Sequence, residues 1–385
     1  MHAIPREEFL ARQEAARRVA HAVGVDALLV VGRAFYDRPG HLAYLANYFP
    51  PEPTMVFADP LRGAGHGALL LPRKGDPILF TIGQMPDHVA VADVRPVSDL
   101  GKGIGAALEE RRLTAARIGI AGADVMPLAL YLELRNGVPA VDWVCVDTAL
   151  NELRRVKSAN EQRLLRRAVA LADQAHAAAR EHLRPGVTES AVCAAGTAAA
   201  LAAGADFVRY FRVHAGKDSV HSFRWPQARR VPLQEGDIVT LDVIGAYQGY
   251  GFDVLRTAVV GRATADHLRL LRAVVEATTA MLQVVRAGVA VDTVARAGLQ
   301  VLEEHGLARY ARTFMGHGIG LETVEIPYLV PDEHTTLQAG EVLCIEPSVA
   351  IPDWGGASVE RQVIVTEEGC EVLDQTPIMW EDEGA

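Results

Sequence analysis

The chain has 385 residues, half of them apolar, and a formal net charge of -10 at pH 7. This length exceeds what one hydrophobic core usually organises, so we expect two domains, and the apolar content is enough to fill both. The acidic balance, without any lysine- or arginine-rich run, argues against nucleic acid or an anionic membrane as a partner. These properties are typical of a soluble globular protein.

The N-terminal stretch and the cysteines bear on location. The first 20 residues, MHAIPREEFLARQEAARRVA, are charged and lack the apolar core of a signal peptide, and no run reaches the roughly 18 apolar residues of a membrane span. We therefore expect a cytoplasmic protein. The cysteines are widely spaced in apolar contexts, so we predict no disulfide framework or thiolate cluster, and four buried thiols: Cys145, Cys193, Cys344 and Cys370.

Helix-like and strand-like patterns alternate through residues 1–150. Apolar spacing predicts a helix through PREEFLARQEAARRVAHAV and a second through GIGAALEERR. Strands are predicted at DALLVV, at RIGIAG and at DWVCV, with a strand pair in GALLLPRKGDPILFT. We interpret this region as an α/β domain that ends near residue 150.

A long helix follows the boundary, and Ser158 and Glu161 have the S-x-x-E spacing of a capping box at its start. Further on, LRPGVTESAVCAAG at 183–196 resembles VRAGVAVDTVARAG at 285–298, an offset of 102 residues. This similarity predicts a duplicated, pseudo-symmetric domain. The alternative is that Gly-Val before an alanine-rich helix recurs by chance. Three glycine pairs keep the offset: Gly186 with Gly288, Gly196 with Gly298, and Gly204 with Gly306.

Four predicted strands of residues 151–385 each carry an acid where a strand should be apolar: DIVTLDVIGAY, YGFDVLRTAVV, EVLCIEPSVAI and SVERQVIVT. The acids are Asp242, Asp253, Glu346 and Glu360. A buried carboxylate without a partner is costly, so each needs a cation or a proton. A salt bridge or an exposed edge would explain any one of them, but four in one domain favour a shared site. His317, between glycines in FMGHGIGLE, is a fifth candidate because those glycines permit close backbone approach.

Four carboxylates and one imidazole suit Mn²⁺, Co²⁺, Fe²⁺ or Zn²⁺. Their formal charge of about -4 balances two divalent ions, as in sites where two metals share carboxylates. Asp242 and Asp253 are 11 residues apart, which fits a strand, a turn at AYQGYG and a returning strand. We therefore predict that these two acids are metal ligands on one hairpin.

The pattern Asp242, Asp253, His317, Glu346 and Glu360 resembles that of the pita-bread metallohydrolases, the family of methionine aminopeptidase, aminopeptidase P, prolidase and creatinase. The phrases LQEGDIVTLDV, GHGIGL, IEPSV and VERQVIVTEEG agree with it, and the first half resembles the extra domain of the prolidase and creatinase branch. The resemblance implies an α+β fold. A smaller α/β creatinase-type domain at residues 1–150 would precede a pseudo-symmetric pita-bread catalytic domain at residues 151–385.

The resemblance also implies roles for individual residues. It gives five metal ligands: Asp242 on one ion, His317 and Glu346 on the other, and Asp253 and Glu360 bridging the two. Glu346 would also be the general base, and His221, in DSVHSFRWP, would stabilise the intermediate or move a proton near the substrate. Mn²⁺ is the preferred metal, with Co²⁺, Zn²⁺ and Fe²⁺ as alternatives, and the N-terminal domain implies a homodimer.

The sequence departs from the family's peptidases at two positions. Val324 stands 7 residues after His317, where those peptidases have a second histidine, and Ser358 stands where prolidases have an arginine that holds the dipeptide carboxylate. Arg361 takes a position that is often acidic, and strand alternation predicts that it faces away from Glu360. Three arginines of the loop SFRWPQARR could bind the substrate anion instead: Arg224, Arg229 and Arg230. The interpretation we favour is that this basic loop is solvated.

Three hypotheses of function follow. The leading one is a two-metal hydrolase that cleaves a peptide or amide next to proline. The second is a non-peptidase member that acts on a small metabolite, as a C–N hydrolase like creatinase or ectoine hydrolase, or as a lyase; Val324 and Ser358 favour it. The third is an inactive binding homologue, which the retained ligands disfavour because a metal-free cluster of buried acids is destabilising.

Overall fold

The computed structural model describes residues 4–53, 55–83, 88–220 and 224–377. The chain divides into two compact units, Met1–Arg154 and Arg155–Ala385. Across the described residues, every helix is too short or too polar to cross a bilayer.

The first unit is built around one six-stranded sheet. Its elements are α1 (Arg6–Ala22), β1 (Ala27–Arg33), α2 (Gly40–Ala46), β2 (His66–Pro72), β3 (Ile78–Ile82), β4 (Asp93–Val97), α3 (Leu100–Glu110), β5 (Arg117–Ala121), α4 (Leu128–Gly137), β6 (Asp142–Cys145) and α5 (Asp147–Arg155). The strand order is β4-β3-β2-β1-β5-β6. Strands β1, β2 and β3 pair antiparallel, whereas β4, β5 and β6 each run parallel to a neighbour.

The helices and strands predicted for this unit are present, and their apolar residues form its core. Strands β2 and β3 are buried along their whole length, because helices such as α3 and α4 cover the sheet. Asp99 caps α3 by accepting a hydrogen bond from the Lys102 backbone N–H at 3.1 Å. The unit is therefore an α/β layer structure, as the alternating pattern predicts.

The second unit consists of two helix pairs, each followed by strands. Its elements are α6 (Ala159–Arg180), α7 (Glu189–Ala202), β7 (Phe207–Ala215), β8 (Ile238–Tyr247), β9 (Tyr250–Val259), α8 (Ala265–Val284), α9 (Val291–Glu304), β10 (Gly316–Gly318), β11 (Glu325–Tyr328), β12 (Val342–Ile345), β13 (Ser348–Ile351), β14 (Gly355–Ser358), β15 (Arg361–Val365) and β16 (Cys370–Val372). The predicted capping box is present at the start of α6, where Ser158 and Glu161 each bond the other's backbone.

The internal repeat predicted from the glycine spacing is confirmed by backbone conformation. Gly186 and Gly288 have φ of +87° and +83°, a region that favours glycine, in the turns before α7 and α9. The N–H of each donates at 2.9 Å, to the carbonyl of Leu233 and of Leu337 respectively. The second glycine pair lies inside α7 and α9, where an added Cβ would collide with the neighbouring core. The two halves therefore use the same turn and the same close helix packing.

Two antiparallel sheets and one hairpin of this unit position the predicted acids. One has the order β7-β8-β9 and the other β11-β10-β12-β15-β16, while β13 and β14 form a separate hairpin. The sequence predicts continuous strands through Glu346 and Glu360, and this is wrong in detail. Glu346 lies between β12 and β13, next to Pro347, which has no N–H for a strand ladder, and Glu360 lies between β14 and β15. Both acids therefore sit where a strand is interrupted.

Candidate metal centre

Asp242 and Asp253 lie on the hairpin of β8 and β9. Gln248 and Gly249 turn the hairpin with φ of +49° and +80°, the pattern of a two-residue type I′ turn. Asp242 pairs with Leu255, and Asp253 pairs with Ile244, which is two residues after Asp242. Opposite partners and alternate residues share one face of a sheet, so both carboxylates project from the same face. The hairpin and turn predicted from the 11-residue spacing are present.

His317 lies at the centre of the short strand β10. The flanking glycines are required by close packing, because a Cβ at Gly316 would collide with the carbonyl of Cys344 and one at Gly318 with the carbonyl of Ile326. His317 Nδ1 lies 2.9 Å from the carbonyl oxygen of Gly318, to which it donates as Nδ1–H. In this tautomer Nε2 carries a lone pair and can bind a metal.

The folded chain brings the imidazole and the carboxylates together. His317 Nε2 is 3.4 Å from Oε1 of Glu346 and 3.8 Å from Oδ2 of Asp253. Donor atoms of Asp253, His317, Cys344 and Glu360 all lie within 4.8 Å of one another. Asp242 is linked to the same group, since its charge acts on Asp253, Glu346 and Glu360. The five residues predicted as ligands therefore occupy one cluster.

Burial and mutual repulsion make this cluster costly in the ionised form. Burial, together with the charges of neighbouring acids, raises the pKa of Asp253 and of Glu360 well above the usual range. The same causes raise the pKa of Glu346 to about 8, while burial lowers the pKa of His317 to about 4. A cation within the cluster would offset both the cost of burying the carboxylates and their mutual repulsion.

The residues present fit a divalent metal. Oε1 of Glu360 is buried and has no hydrogen-bond partner among the described residues. Carboxylate oxygens and an unprotonated imidazole nitrogen are the donors that Mn²⁺, Fe²⁺, Co²⁺ and Zn²⁺ accept. A metal ion bound among these donors would explain why this buried oxygen of Glu360 lacks a hydrogen-bond partner among the described residues.

Cys344 is part of this cluster, which the sequence interpretation missed. Its Sγ–H points to the backbone carbonyl of Asp253 at 3.9 Å, and the side chain is fully buried. The prediction of four buried thiols is wrong, because Cys145 is exposed and Cys193 and Cys370 are only partly buried. Cys344 pairs directly with His317 across β12 and β10, a placement that depends on strand register.

A cavity of about 320 Å³ opens on the cluster. Its walls combine the acids and His317 with apolar side chains and three arginines: Arg209, Tyr210, Arg212, Asp242, Ile244, Asp253, Leu255, Arg312, Phe314, His317, Thr323, Val324, Glu346, Ser348 and Glu360. Such a mixture of apolar walls and convergent polar groups is typical of small-molecule sites.

The arginines of strand β7 reach the cavity through a β-bulge. The register between β7 and β8 shifts between Val208 and Tyr210, so Arg209 is the inserted residue of the bulge. Arg212 pairs directly with Asp242, and its Nη1 donates to Asp242 Oδ2 at 2.8 Å. Without the bulge, residues 209 and 212 would point to opposite faces. The sequence alone does not predict these arginines as cavity residues, because their positions depend on that register.

The three residues that depart from the family pattern lie in different surroundings. Val324 lines the cavity and is 46% exposed. Ser358 is buried and does not line the cavity; its hydroxyl lies 3.1 Å from the carbonyl oxygen of Pro347 and 2.9 Å from Ser348 Oγ. Arg361 faces away from Glu360, as predicted, and binds Asp374 at 3.1 Å. A substrate anion therefore meets neither Ser358 nor Arg361.

The arginines of the loop after β7 have other partners. Arg229 binds Glu189, which is fully buried, and also Asp218, while Arg224 binds Asp218. Arg230 is exposed. These arginines therefore form neither a binding site for a substrate anion nor a simply solvated loop, because Arg229 is anchored inside the unit. His221, predicted near the substrate, lies outside the described residues.

The fold and the donor cluster together are those of a metal-dependent hydrolase. The family model described as metallopeptidase family M24 matches residues 163–367, and that of the creatinase/prolidase N-terminal domain matches residues 12–156. The chain belongs to metallopeptidase family M24. The family and the fold class predicted from the sequence are confirmed.

Relatives and solved structures agree with this assignment. A probable dipeptidase PepE of Mycobacterium tuberculosis is 35% identical over 266 residues, which is 69% of this chain and 70% of that protein. The crystal structure of dipeptidase PepE from Mycobacterium ulcerans is similar with a TM-score of 0.81 at 29% identity, covering 98% of both chains. The prolidase from Pyrococcus horikoshii has the same fold, with a TM-score of 0.82 at 23% identity over 95% of this chain and 99% of that one.

Proposed function

We propose that this protein is a dinuclear metal-dependent peptidase that hydrolyses a peptide or amide bond next to proline in a small substrate. The observation that carries the proposal is the buried cluster of acids and His317 at the base of the cavity. The similarity to proteins named Xaa-Pro dipeptidase and dipeptidase PepE supports it. As ligands we propose Asp242 on one ion, His317 and Glu346 on the other, and Asp253 and Glu360 between them.

Two divalent ions held by these residues would lower the pKa of a bound water and polarise the scissile carbonyl. We propose Glu346 as the general base, because its side chain is 23% exposed, against 8% for Asp242 and 7% for Asp253. Its carboxylate can take a proton from the attacking water and pass it to the leaving amide nitrogen. Phe314 and Val324 add apolar surface to the cavity wall around this site.

A second candidate function is hydrolysis of a non-peptide amide, or a lyase reaction, on a small metabolite. Val324 favours it, because a valine in the cavity wall cannot donate a hydrogen bond to a scissile amide or an oxyanion. Ser358, at the position where the prolidase pattern has an arginine that binds the dipeptide carboxylate, is also not among the described residues of the cavity wall. This site therefore differs from the prolidase pattern.

Several finer statements remain proposals. We propose Mn²⁺ as the native metal because oxygen donors predominate among the five ligands. The role of His221 in moving a proton, the homodimer and the cytoplasmic location remain predictions from the sequence. The division into an N-terminal creatinase-type domain at 1–150 and a catalytic domain at 151–385 is likewise our proposal.

The test is turnover of Xaa-Pro dipeptides and longer Xaa-Pro peptides by protein that has been stripped of metal and reloaded with Mn²⁺, Co²⁺, Zn²⁺ or Fe²⁺. Metal-dependent cleavage before proline is the expected result. Two bound ions per chain without cleavage of any peptide would overturn the peptidase proposal and favour the small-metabolite enzyme.

A further inference from the structure

Strand β9 is an edge strand, and its free edge faces the segment that carries Glu360. In its three-stranded sheet, β9 pairs on one side with β8. Backbone groups of alternate residues in an antiparallel strand point to opposite sides, so those of Gly251, Asp253 and Leu255 share the free edge. The N–H of Glu360 donates to the Leu255 carbonyl at 3.0 Å. A backbone hydrogen bond therefore ties one proposed bridging ligand to the strand that carries the other.

The side chain of Gln362 extends this junction to Asp253. The backbone of Gln362 is used by another sheet, because the residue pairs with Cys344 on β12 and its carbonyl accepts from the Leu373 N–H at 2.9 Å. The amide group reaches β9 instead. Its Oε1 accepts from the Asp253 N–H at 3.2 Å, and its Nε2 donates to the Gly251 carbonyl at 3.3 Å. The amide thus takes the place of a strand partner on this part of the free edge.

Burial makes both contacts of this amide important. Gln362 is fully buried. Its amide has one favourable orientation, because the backbone N–H needs an oxygen and the backbone carbonyl needs an N–H. Loss of the amide would leave the N–H of Asp253 and the carbonyl of Gly251 buried without these partners, which is unfavourable. The backbone of Asp253 would then shift to find other partners, and its carboxylate would move with it.

Two parallel contacts join the same two segments of the chain. Asp253 and Leu255 are held on β9, and Glu360 and Gln362 hold them from the other segment. The donor atoms of Asp253 and Glu360 lie within 4.8 Å of each other. Two ions about 3.5 to 4 Å apart can share carboxylates only if those carboxylates keep a matching spacing. The two contacts fix that spacing through the backbone.

We propose that Gln362 is a positioning residue of the metal centre: by holding the Asp253 backbone, it sets the spacing of the two bridging carboxylates and thereby the affinity for the second ion. The inference rests on the proposed dinuclear function and extends it to a residue outside the ligand set. Gln362 acts through Asp253 and not on the ions themselves.

The test replaces Gln362 by methionine in the full-length protein, because methionine is similar in length but has no amide. Calorimetric titration with Mn²⁺ measures both binding steps. In Gln362→Met the Kd of the second ion is expected to rise by about 10-fold to 100-fold, the usual effect of removing a group that orients a metal ligand. The Kd of the first ion is expected to change less, because a single ion does not depend on the spacing of two bridging carboxylates.

EPR spectroscopy gives a signature that a purely structural role would not move. Two Mn²⁺ ions that share bridging ligands are magnetically coupled, whereas single ions are not. At equal Mn²⁺ loading, the parent is expected to show the coupled signal and Gln362→Met a larger share of the uncoupled signal. Gln362→Asn keeps an amide that is one methylene too short to reach β9. It is expected to behave like Gln362→Met and replaces it if the methionine variant does not fold.

Thr278→Val is the matched control. The Thr278 hydroxyl is buried and donates to the carbonyl of Val359, the residue before Glu360, at 3.2 Å. The substitution removes a buried hydrogen bond in the same neighbourhood and keeps both contacts of the Gln362 amide. It is expected to lower the melting temperature without changing the second-ion Kd or the coupled signal. A rise of that Kd equal to the rise in Gln362→Met would overturn the inference, because a general loss of stability would then explain both.

The remaining outcomes separate this inference from the peptidase proposal. If the parent cleaves Xaa-Pro peptides and the Gln362 variants keep its second-ion Kd and coupled signal, the inference is overturned and the peptidase function stands. If the parent binds two coupled ions without cleaving any peptide, and the variants bind the second ion weakly, the inference holds and the peptidase proposal fails. A parent that binds fewer than two ions overturns both.

Discussion

Arg212 holds the carboxylate of Asp242 from the directly paired position on the neighbouring strand, with 2.8 Å between Nη1 and Oδ2. Both side chains are largely buried, at 14% and 8% exposure. A metal-ligand candidate is thus neutralised by the protein itself before any ion binds. Breaking such a pair by removing one partner is costly, because a buried charge is left without compensation.

We expect Arg212→Met to destabilise the metal-free protein more than the metal-loaded protein. Without the guanidinium, Asp242 is a buried acid among other acids, and the free energy of unfolding should fall by about 3 kcal/mol. A bound ion supplies positive charge in place of the arginine, so the loaded form should lose less. Thermal unfolding with and without Mn²⁺ measures the difference.

Arg309→Met is the control for the loss of one arginine, since Arg309 is exposed. It should change both forms little. If Arg212→Met lowered the melting temperatures of the loaded and metal-free forms equally, the ion pair would have no link to the metal site.

The metal-free protein should lose stability as the pH rises. Burial raises the pKa of Glu346 to about 8 in the folded state, above its ordinary value in the unfolded chain. The folded state therefore binds more protons between those two values, and stability falls across that window by at most about 1.4 kcal/mol per pH unit for each such group. Urea unfolding at pH 6 and pH 8 measures this. Equal stability at the two pH values would show that the cluster is ionised at no cost.

His176 should act in the opposite direction. It is fully buried in α6, donates from Nε2 to the Val254 carbonyl at 3.0 Å, and burial lowers its pKa to about 3. The unfolded state binds the extra proton below about pH 6.5, so this histidine removes stability as the pH falls from there toward 3.

His176→Gln retains a hydrogen-bond donor and does not titrate. The stability difference between parent and variant should therefore shrink in acid, by up to about 1.4 kcal/mol per pH unit. Urea unfolding at pH 7, 6 and 5 gives that difference. A constant value across this range would mean that His176 titrates normally in the folded protein.

Cysteine labelling should separate Cys145 from Cys344. Cys145 is exposed, whereas Cys344 is fully buried and its pKa is raised well above the usual range by burial and by the charges of Glu360 and Asp253. The thiolate is the reactive form, so iodoacetamide should modify Cys145 in the folded protein and Cys344 only after unfolding. Mass spectrometry of digested protein identifies the sites. Equal labelling of both in the folded state would contradict this burial.

Much of the candidate site could be predicted because its signals are local in the sequence. Asp242 and Asp253 interrupt apolar strands, and their spacing fits one hairpin with a glycine turn. His317 lies between glycines that the close backbone packing requires. The 102-residue glycine offset predicts the repeated helix pairs. Each signal depends on neighbours a few residues away, or on a direct repeat.

The rest could not be predicted because it depends on register and on contacts distant in sequence. Arg209 reaches the cavity only because of the bulge, and Arg212 is placed by its pairing with a strand 30 residues away. Arg312 arrives from the segment that leads into β10. The apolar neighbours of Cys344 predict an ordinary core residue, since they are the same whether its thiol meets carbon or carboxylate.

The measurement that tests the central claim most directly is the number of metal ions per chain, by elemental analysis after dialysis, in the parent, Asp253→Asn and Glu360→Gln. Each substitution keeps the shape of a proposed bridging side chain and removes its charge, so the variants should still fold. We predict two ions in the parent and fewer in both variants, with loss of metal-dependent turnover. A parent that binds no divalent ion, or variants that retain two, would contradict the dinuclear centre.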